Sequence, residues 1–394
     1  KFSSILNSTE VLVIDEAHYI KRIQGEWANA ALNVGKYSKF KCILTGTPIP
    51  KNYSDLYNLF EFLWPEKKPI TSENKIKLSV CEQSEDFQSA KNILDKVVGP
   101  LYYRVNKNEL DLKPQIFNSP IRILMNPKEQ IVYNAIKNNI LDFSSKDYLN
   151  NFEVVNSLRK GRMIRMRQCL SYTKLLRNAI EGYEEDLVNN SELGEIITNY
   201  DDYELPAKLE KLILIVKEFQ IRNEKVVIWA HFIETIKLIE KQFKLNGFKC
   251  KKIIGETPSE RSTVSEEETR EKIRNEFVSC DSGLDILLAN PAACAESISL
   301  HKTCYNAIYY DLSYNGAQYL QSLDRIHRVG GSEEQESYYH FLHYENTIEP
   351  DILSNLESKK HKMLNIIETN YNICSLDMFE ENDDLELYET LFTE

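Results

Sequence analysis

The sequence predicts an α/β protein with two parallel-sheet domains and a mainly helical segment between them. Three observations carry this. Short apolar runs such as Val11–Ile14, Val226–Trp229 and Ile286–Ala289 have strand length and end in polar residues, which suits parallel strands buried on both faces. Helical stretches alternate with such runs near the start of the chain and again after Pro206. Between about 65 and 205 the apolar residues recur almost only at helical spacing. The 394 residues, at roughly 150 per domain, leave room for two or three domains.

In order, Val11–Ile14 and Cys42–Leu44 read as strands flanking a helix at Trp27–Val34. Helical spacing follows in Phe87–Val98, Gln130–Leu141 and Val154–Ile180, with few strand signals, Ile121–Leu124 the best of them, and an acidic loop or linker at Tyr183–Glu204. The α/β rhythm then resumes. Lys208–Phe219, Ile233–Leu245 and Glu266–Phe277 read as helices. Val226–Trp229, Cys250–Ile254, Ile286–Ala289, Ala307–Asp311 and Tyr338–Leu342 read as strands. A last helix is expected at Ile352–Glu368, and the residues from Asp377 on carry acids and no base.

Apolar residues at 42% and charged residues at 27% exclude a wholly disordered chain and a fibrous repeat. No apolar run approaches the ~18 residues of a membrane helix. The eight cysteines stand singly, with no C-x-x-C pair, as in a reduced intracellular protein and unlike a disulfide frame or zinc site. The net charge of −12 speaks against nucleic acid if taken alone, but binding depends on local patches. The chain opens on Lys1, without an apolar leader, and enters a core strand at Val11. The expectation is a fragment whose first domain lacks its beginning.

Asp15 and Glu16 close the first strand. Such a pair suits metal-assisted phosphate chemistry, the first carboxylate holding Mg²⁺ and the second polarising a water; a bare strand-DE string by itself reads more readily as an N-cap pair after a strand. The match is longer, however. Val-Leu-Val-Ile-Asp-Glu-Ala-His (11–18) is followed by Ile-Leu-Thr-Gly-Thr-Pro (43–48), and together they resemble motifs II and III of superfamily 2 helicases and translocases. The continuation from Asp55 to Pro65, the segments Pro100–Arg104 and Leu112–Pro114, and Arg165–Leu170 resemble the SNF2-type branch of double-stranded DNA translocases. Ala207-Lys208-Leu209, Val226–Phe232 and Gly255–Pro258 resemble its second-lobe lead-in, motif IV and the turn after it. Ala317 to Gly330 resembles motif VI, with Q-x-x-D-R-x-H-R-x-G running from Gln321 to Gly330.

The resemblance implies two RecA-like lobes, ATP and Mg²⁺ as cofactors, and duplex DNA as partner. It implies Asp15 (also the metal ligand), Glu16, Arg325 and Arg328 as catalytic residues, with His18 and Gln321 joining them around ATP. Thr45, Gly46 and Thr47 would couple hydrolysis to the nucleic-acid groove. Arg325 and Arg328 are three apart, so on a helix they share a face and can bracket a transferring phosphoryl group. The alternative is a surface helix salt-bridged to Asp324 and Glu333. The expected domains are 1–66 (the first lobe's C-terminal part), 67–205 (helical insertion), 206–349 (second lobe) and 350–394 (helical and acidic tail).

Two departures stand out. No G-x-x-x-x-G-K-[ST] occurs: Gly35-Lys36 is followed by Tyr37, and Ala30 stands where the first glycine belongs. A phosphate cradle needs that loop, so this chain alone is expected to be inactive. Motif V is the second departure, with Asn290–Ser297 in place of a glycine-rich turn. Gly331 also replaces a glutamine common after motif VI, and His231 stands where glutamine is common in motif IV.

Residues 154–180 carry seven basic side chains and no acid: Arg159, Lys160, Arg162, Arg165, Arg167, Lys174 and Arg177. The first five are candidate phosphate contacts, salt-sensitive and without sequence specificity; pairing with the acidic stretch 184–204 is the alternative. Trp27 and Trp64 read as core or lid packing, His18 as a hydrogen-bond bridge between motifs II and VI, and the cysteines as small buried residues. The functional expectation is part of an ATP-driven duplex DNA translocase, cytoplasmic, nucleoid-associated or nuclear. A non-hydrolysing scaffold and another superfamily 2 motor, acting on RNA or in restriction, are the alternatives.

Overall fold

The computed structural model describes residues 10–22, 25–45, 53–84, 86–101, 110–144, 152–177, 191–259, 268–294 and 298–368. They fall into two compact units that divide between 109 and 110, with the described residues 358–368 grouped with the first. The boundary thus lies inside the stretch expected as one insertion, 67–205.

In the first unit β1 (Val11–Ile14) pairs in parallel with β2 (Phe40–Ile43). Helix α1 (Glu26–Gly35) connects them, and α2 (Asp55–Leu63), α3 (Ser72–Gln83) and α4 (Phe87–Val97) follow. The strands are not buried on both faces, as their apolar runs suggested. Leu12, Ile14 and Ile43 pack against the core formed by Leu56, Leu59, Phe62 and their neighbours, while Val11, Val13 and Phe40 are exposed. Helix α3 lacked a sequence signal because its apolar residues are split between two faces: Leu78 and Cys81 point inward, Ile76 and Val80 outward. The Thr71 hydroxyl starts it by accepting from the Asn74 N–H at 3.3 Å. Trp64 stacks on Phe60 at 6.0 Å. Trp27 does not pack: it is 79% exposed, because Ala28, Ala31 and Leu32 supply the inward face of α1.

The second unit is built on a seven-stranded parallel sheet. Its strands are β3 (Gln115–Phe117), β4 (Ile121–Ile123), β5 (Lys225–Trp229), β6 (Cys250–Ile253), β7 (Ile286–Ala289), β8 (Cys304–Tyr309) and β9 (Ser337–Tyr344). The order runs β3-β9-β8-β5-β7-β6, and β4 continues the β3 edge along β9. The helices are α5 (Pro127–Ser144), α6 (Phe152–Ser171), α7 (Ser191–Thr198), α8 (Tyr200–Tyr203), α9 (Ala207–Ile221), α10 (Ile233–Leu245), α11 (Arg270–Val278), α12 (Pro291–Cys294), α13 (Gly316–Leu323) and α14 (Glu349–Glu368), of which residues up to 357 belong to this unit. The central strands β5 and β7 are buried throughout, as their apolar runs suggested. Helices α7 and α8 occupy what the sequence suggested was a loop; Leu193, Ile196, Ile197 and Tyr200 bury against the core there. Among the described residues, no helix is long and apolar enough to cross a membrane.

Residues 110–205 share the apolar core of this unit through Val132, Met163, Met166, Leu193 and Ile197, and a buried polar network joins them to it as well. Lys208, fully buried, pairs with Glu349 and donates to the Tyr310 carbonyl at 3.2 Å. Tyr344 Oη donates to Glu129 on α5 at 2.5 Å and accepts from the Lys208 N–H. The other Glu129 oxygen accepts from the N–H groups of Asn126 and Ala207. Burial raises the pKa of Glu129 and of Glu349, while these partners pull it back down. Buried ions survive only when paired and hydrogen-bonded.

Two predictions follow from this packing. Lys208→Met leaves the Glu349 carboxylate buried without its cation, at a cost of about 3–5 kcal/mol; in calorimetry the double variant Lys208→Met/Glu349→Leu regains much of the lost melting temperature. Burial and the Lys208 charge hold His343 at about 4, below its ordinary 6.5. A depressed histidine adds stability above 6.5 and loses it as pH falls toward 4. Glu129 and Glu349 act in the opposite direction, so the comparison with His343→Phe isolates the histidine: the variant loses less melting temperature between pH 7 and pH 4.5 than the parent.

Candidate nucleotide and nucleic-acid sites

In the first unit the strand register brings two motifs together. The Leu44 N–H donates to the Ile14 carbonyl and the Ala17 N–H to the Leu44 carbonyl, both at 2.9 Å. Thr45 therefore follows directly beside the Asp15-Glu16 pair, at the carboxyl ends of two parallel strands, where α/β sheets bind ligands. Glu16 has a φ of +49°, a left-handed conformation that costs energy for a residue with a Cβ. The bend is held by Asp15 Oδ1, which accepts the Glu16 N–H at 2.9 Å, and by the turn Tyr19 N–H to Glu16 carbonyl. Asp15 is exposed and Glu16 half-buried. Gly46 and Thr47 lie outside the described residues, as does the His18 side chain.

The donor set fits shared Mg²⁺ binding. Mg²⁺ takes one or two carboxylates and completes its shell with water and substrate phosphates. Asp15 would offer one such carboxylate, exposed at the strand end. The Gly35-Lys36 pair is not a phosphate loop. Gly35 closes α1, and a Cβ there would meet the Phe62 ring at 2.8 Å, so its glycine serves packing.

In the second unit motif VI departs from the expected helix. Helix α13 ends at Leu323 with Asp324 as its C-cap, so Arg325 and Arg328 sit in the turns beyond it. The Arg325 N–H bonds the Ser322 carbonyl, and Gly330 takes a φ of +92°. The two arginines differ. Arg325 is 5% exposed and donates to the carbonyls of Gln321 (3.1 Å) and Ile298 (3.2 Å). Arg328 is half-buried and donates through Nη1 to Ser299 Oγ at 3.1 Å. Gln321 meets Arg325 through its backbone carbonyl. Glu333 forms no bridge to either arginine; its carboxylate caps the N–H groups of Gly330 and Gly331 at 2.6 and 2.8 Å, which lowers its pKa. His327 bonds the Lys113 carbonyl at 2.8 Å.

The glycine at 331 has a steric cause. A Cβ there would lie 2.2 Å from the His301 carbonyl oxygen, so no side chain fits without moving backbone. His231 has a similar account. Among the described residues its hydrogen bonds run through the backbone: its N–H donates to Asp311 at 2.5 Å and its carbonyl accepts from Asn290 at 2.6 Å. The imidazole, held at about 3 by burial and then by the Arg167 charge, stays neutral and edge-on to Phe232.

The basic stripe is corrected. Arg162, Arg165 and Arg167 are buried at 3, 3 and 7% exposure, because Met163, Met166, Cys169 and Leu170 bury the same half of α6. Arg165 donates to Gln168 and to the Leu176 carbonyl. Arg167 donates to the Leu312 carbonyl and lies between the rings of Phe232 and Tyr314, 5.7 Å from each. Lys174 pairs with Asp201 at 2.6 Å. Arg159 and Lys160 lie on α6, but their side chains are outside the described residues. Of the cysteines, Cys81, Cys169, Cys250, Cys294 and Cys304 are buried free thiols, as expected, whereas Cys42 and Cys280 are exposed.

Sequence reasoning missed two residues that organise the carboxyl edge of this sheet. Asp311, buried after β8, joins the His231 N–H to the Ser171 hydroxyl, each at 2.5 Å; the apolar run that preceded it read only as a strand. Arg270 donates to the carbonyls of Thr257, Gly255 and Ala293, tying the turn after β6 to α12. A lone arginine opening a charged helix gave no signal for that.

Residues 2–182 match the SNF2-related domain, and residues 206–330 match the helicase conserved C-terminal domain. The chain is 25% identical over 387 residues to the Arabidopsis thaliana Protein CHROMATIN REMODELING 5, covering 92% of this chain and 20% of that protein. It is 26% identical over 369 residues to the SWI/SNF-related matrix-associated actin-dependent regulator of chromatin subfamily A member 1 of Mus musculus, covering 88% of this chain and 31% of that protein. A solved Sulfolobus solfataricus SWI2/SNF2 ATPase core in complex with dsDNA matches with a TM-score of 0.43 at 22% identity, over 94% of this chain and 71% of that one. The chain thus spans a fifth to a third of the length of these curated relatives. The two domain matches occur in order and take in the Asp15-Glu16 strand end on one side and the motif VI turns on the other, so the chain belongs to the SNF2-type family of superfamily 2 helicases and translocases.

Proposed function

We propose that this chain is part of an ATP-dependent translocase on double-stranded DNA. The observation that carries the reading is the register of β1 and β2, which sets Thr45 beside a carboxylate pair whose second member is held in a left-handed bend. In this reading Asp15 holds Mg²⁺ and Glu16 orients and polarises the attacking water. Bound Mg²⁺ supplies charge neutralisation at the phosphates. Arg325 and Arg328 serve the charge that develops on the transferring phosphoryl group, and Gln321 and His18 complete the nucleotide contacts. Thr45, Gly46 and Thr47 pass the change to the DNA groove. The sequence contains no phosphate-cradling loop, so the 394 residues alone are proposed to be inactive as an ATPase.

Duplex DNA is the proposed track, held by its phosphates and read without sequence preference. Arg159 and Lys160 remain the proposed contacts from the basic run, since Arg162, Arg165 and Arg167 are buried. The place of action would be the nucleus or nucleoid.

Two tests apply to a polypeptide that joins these residues to an upstream G-x-x-x-x-G-K-[ST] loop. Duplex DNA is expected to stimulate ATP hydrolysis, and Glu16→Gln and Arg328→Ala are each expected to lower the stimulated rate by about 100-fold or more. Stimulation by RNA alone, or variants that match the parent, would overturn the reading. In binding titrations, Arg159→Ala/Lys160→Ala is expected to flatten the slope of log affinity against log salt by about 2, with no change in melting temperature. Arg167→Ala should instead lower the melting temperature.

A further inference from the structure

The two motif VI arginines are not equivalent, and the difference lies in the segment Ile298–His301. Arg325 grips that segment twice: its guanidinium donates to the Ile298 carbonyl at 3.2 Å, and its own carbonyl accepts the Leu300 N–H at 2.9 Å. Gly331 lets the segment approach from the other side, since only a residue without a Cβ fits against the His301 carbonyl. The residue held between these fixed points is Ser299. Its hydroxyl is the hydrogen-bond partner of the Arg328 guanidinium among the described residues. The Arg328 backbone is clamped as well: the Ser332 N–H donates to its carbonyl, and its N–H donates to Ser332 Oγ, both at 3.1 Å.

We propose that Ser299 is the positioning residue for Arg328, with Arg325 acting as the strut that holds Ser299 in place. A long arginine side chain loses much rotamer freedom when it is aimed. A single neutral hydroxyl aims it without neutralising it, and the bond is weak enough to be given up. A carboxylate at 299 would hold the guanidinium more tightly and cancel its charge. Arg325, bound by two carbonyls and 5% exposed, braces the segment 298–300 in addition to the phosphate-facing role proposed for it above. This division of roles rests on the reading of Arg328 as a phosphate-facing residue, but the contact itself can be tested without nucleotide.

The first arm uses the 394-residue chain and arginine side-chain nitrogen NMR, with the Arg328 signals assigned by their loss in Arg328→Lys. A held guanidinium gives separate Nη signals and a free one gives an averaged signal. Separate signals are expected in the parent and in Ser299→Thr, and an averaged signal in Ser299→Ala. An averaged signal in the parent, or separate signals in Ser299→Ala, would overturn the proposal. The second arm measures DNA-stimulated ATPase in a polypeptide that includes an upstream phosphate loop. Ser299→Ala is expected to lower kcat by about three- to tenfold, the effect of one half-exposed hydrogen bond, with KM unchanged and recovery in Ser299→Thr. It should have no further effect in an Arg328→Ala background. Additive losses would show that Ser299 acts independently of Arg328 and would sink the proposal. If Arg328→Ala alone costs no activity, the functional reading fails, and the NMR arm still decides the contact.

Discussion

The second unit depends on one buried ion pair. Lys208 at the start of α9 meets Glu349 at the start of α14, and around them Tyr310, Tyr344 and Glu129 satisfy each other's polar atoms. A lysine with no exposed surface is tolerable only inside such a network. The network also reaches across the unit, beside the shared apolar core. Glu129 stands on α5, accepts the Ala207 N–H at the start of α9 and accepts from Tyr344 Oη on β9, so the helical stretch before the second sheet is fastened to that sheet. Hydrogen bonds from Ser171 to Asp311 and from Tyr310 to the Ser171 carbonyl add α6 to the same body. The helices therefore form part of one structure with the strand ends that a ligand would meet.

Much of the fold was legible because the signals were local. Ile233–Leu245 falls on α10, and Val226–Trp229 and Ile286–Ala289 fall on β5 and β7, since apolar period and run length are set by neighbours in sequence. What failed was non-local. Gln115–Phe117 becomes a strand only by pairing with residues 337–339, more than 200 positions away, and nothing within three residues announces it. The exposed face of β1 and β2 failed for the opposite reason: the run Val11–Ile14 looks the same whether one face is covered or both.

The candidate sites divide along the same line. Asp15 and Glu16 were legible as residue types at a strand end, and the structure adds the left-handed bend that presents them. The arginines of α6 misled because charge was read as exposure. Arg167 is buried between two aromatic rings and bonded to a carbonyl, an environment that a guanidinium accepts more readily than an ammonium. The glycine at 331, odd in the sequence, follows from the His301 carbonyl that approaches it. In motif VI the spacing of three suggested a shared helical face, but the helix had already ended at Leu323, leaving one arginine anchored and the other lightly held.

The central claim is that the chemistry of these strand ends and turns moves the protein along duplex DNA. Displacement of a third strand from a DNA triplex tests it most directly, using a polypeptide that joins these residues to a phosphate-cradling loop. The account predicts ATP-dependent release of the third strand, with the underlying duplex left paired and with release abolished by Glu16→Gln. ATP hydrolysis without third-strand release would contradict it, as would separation of the duplex strands themselves.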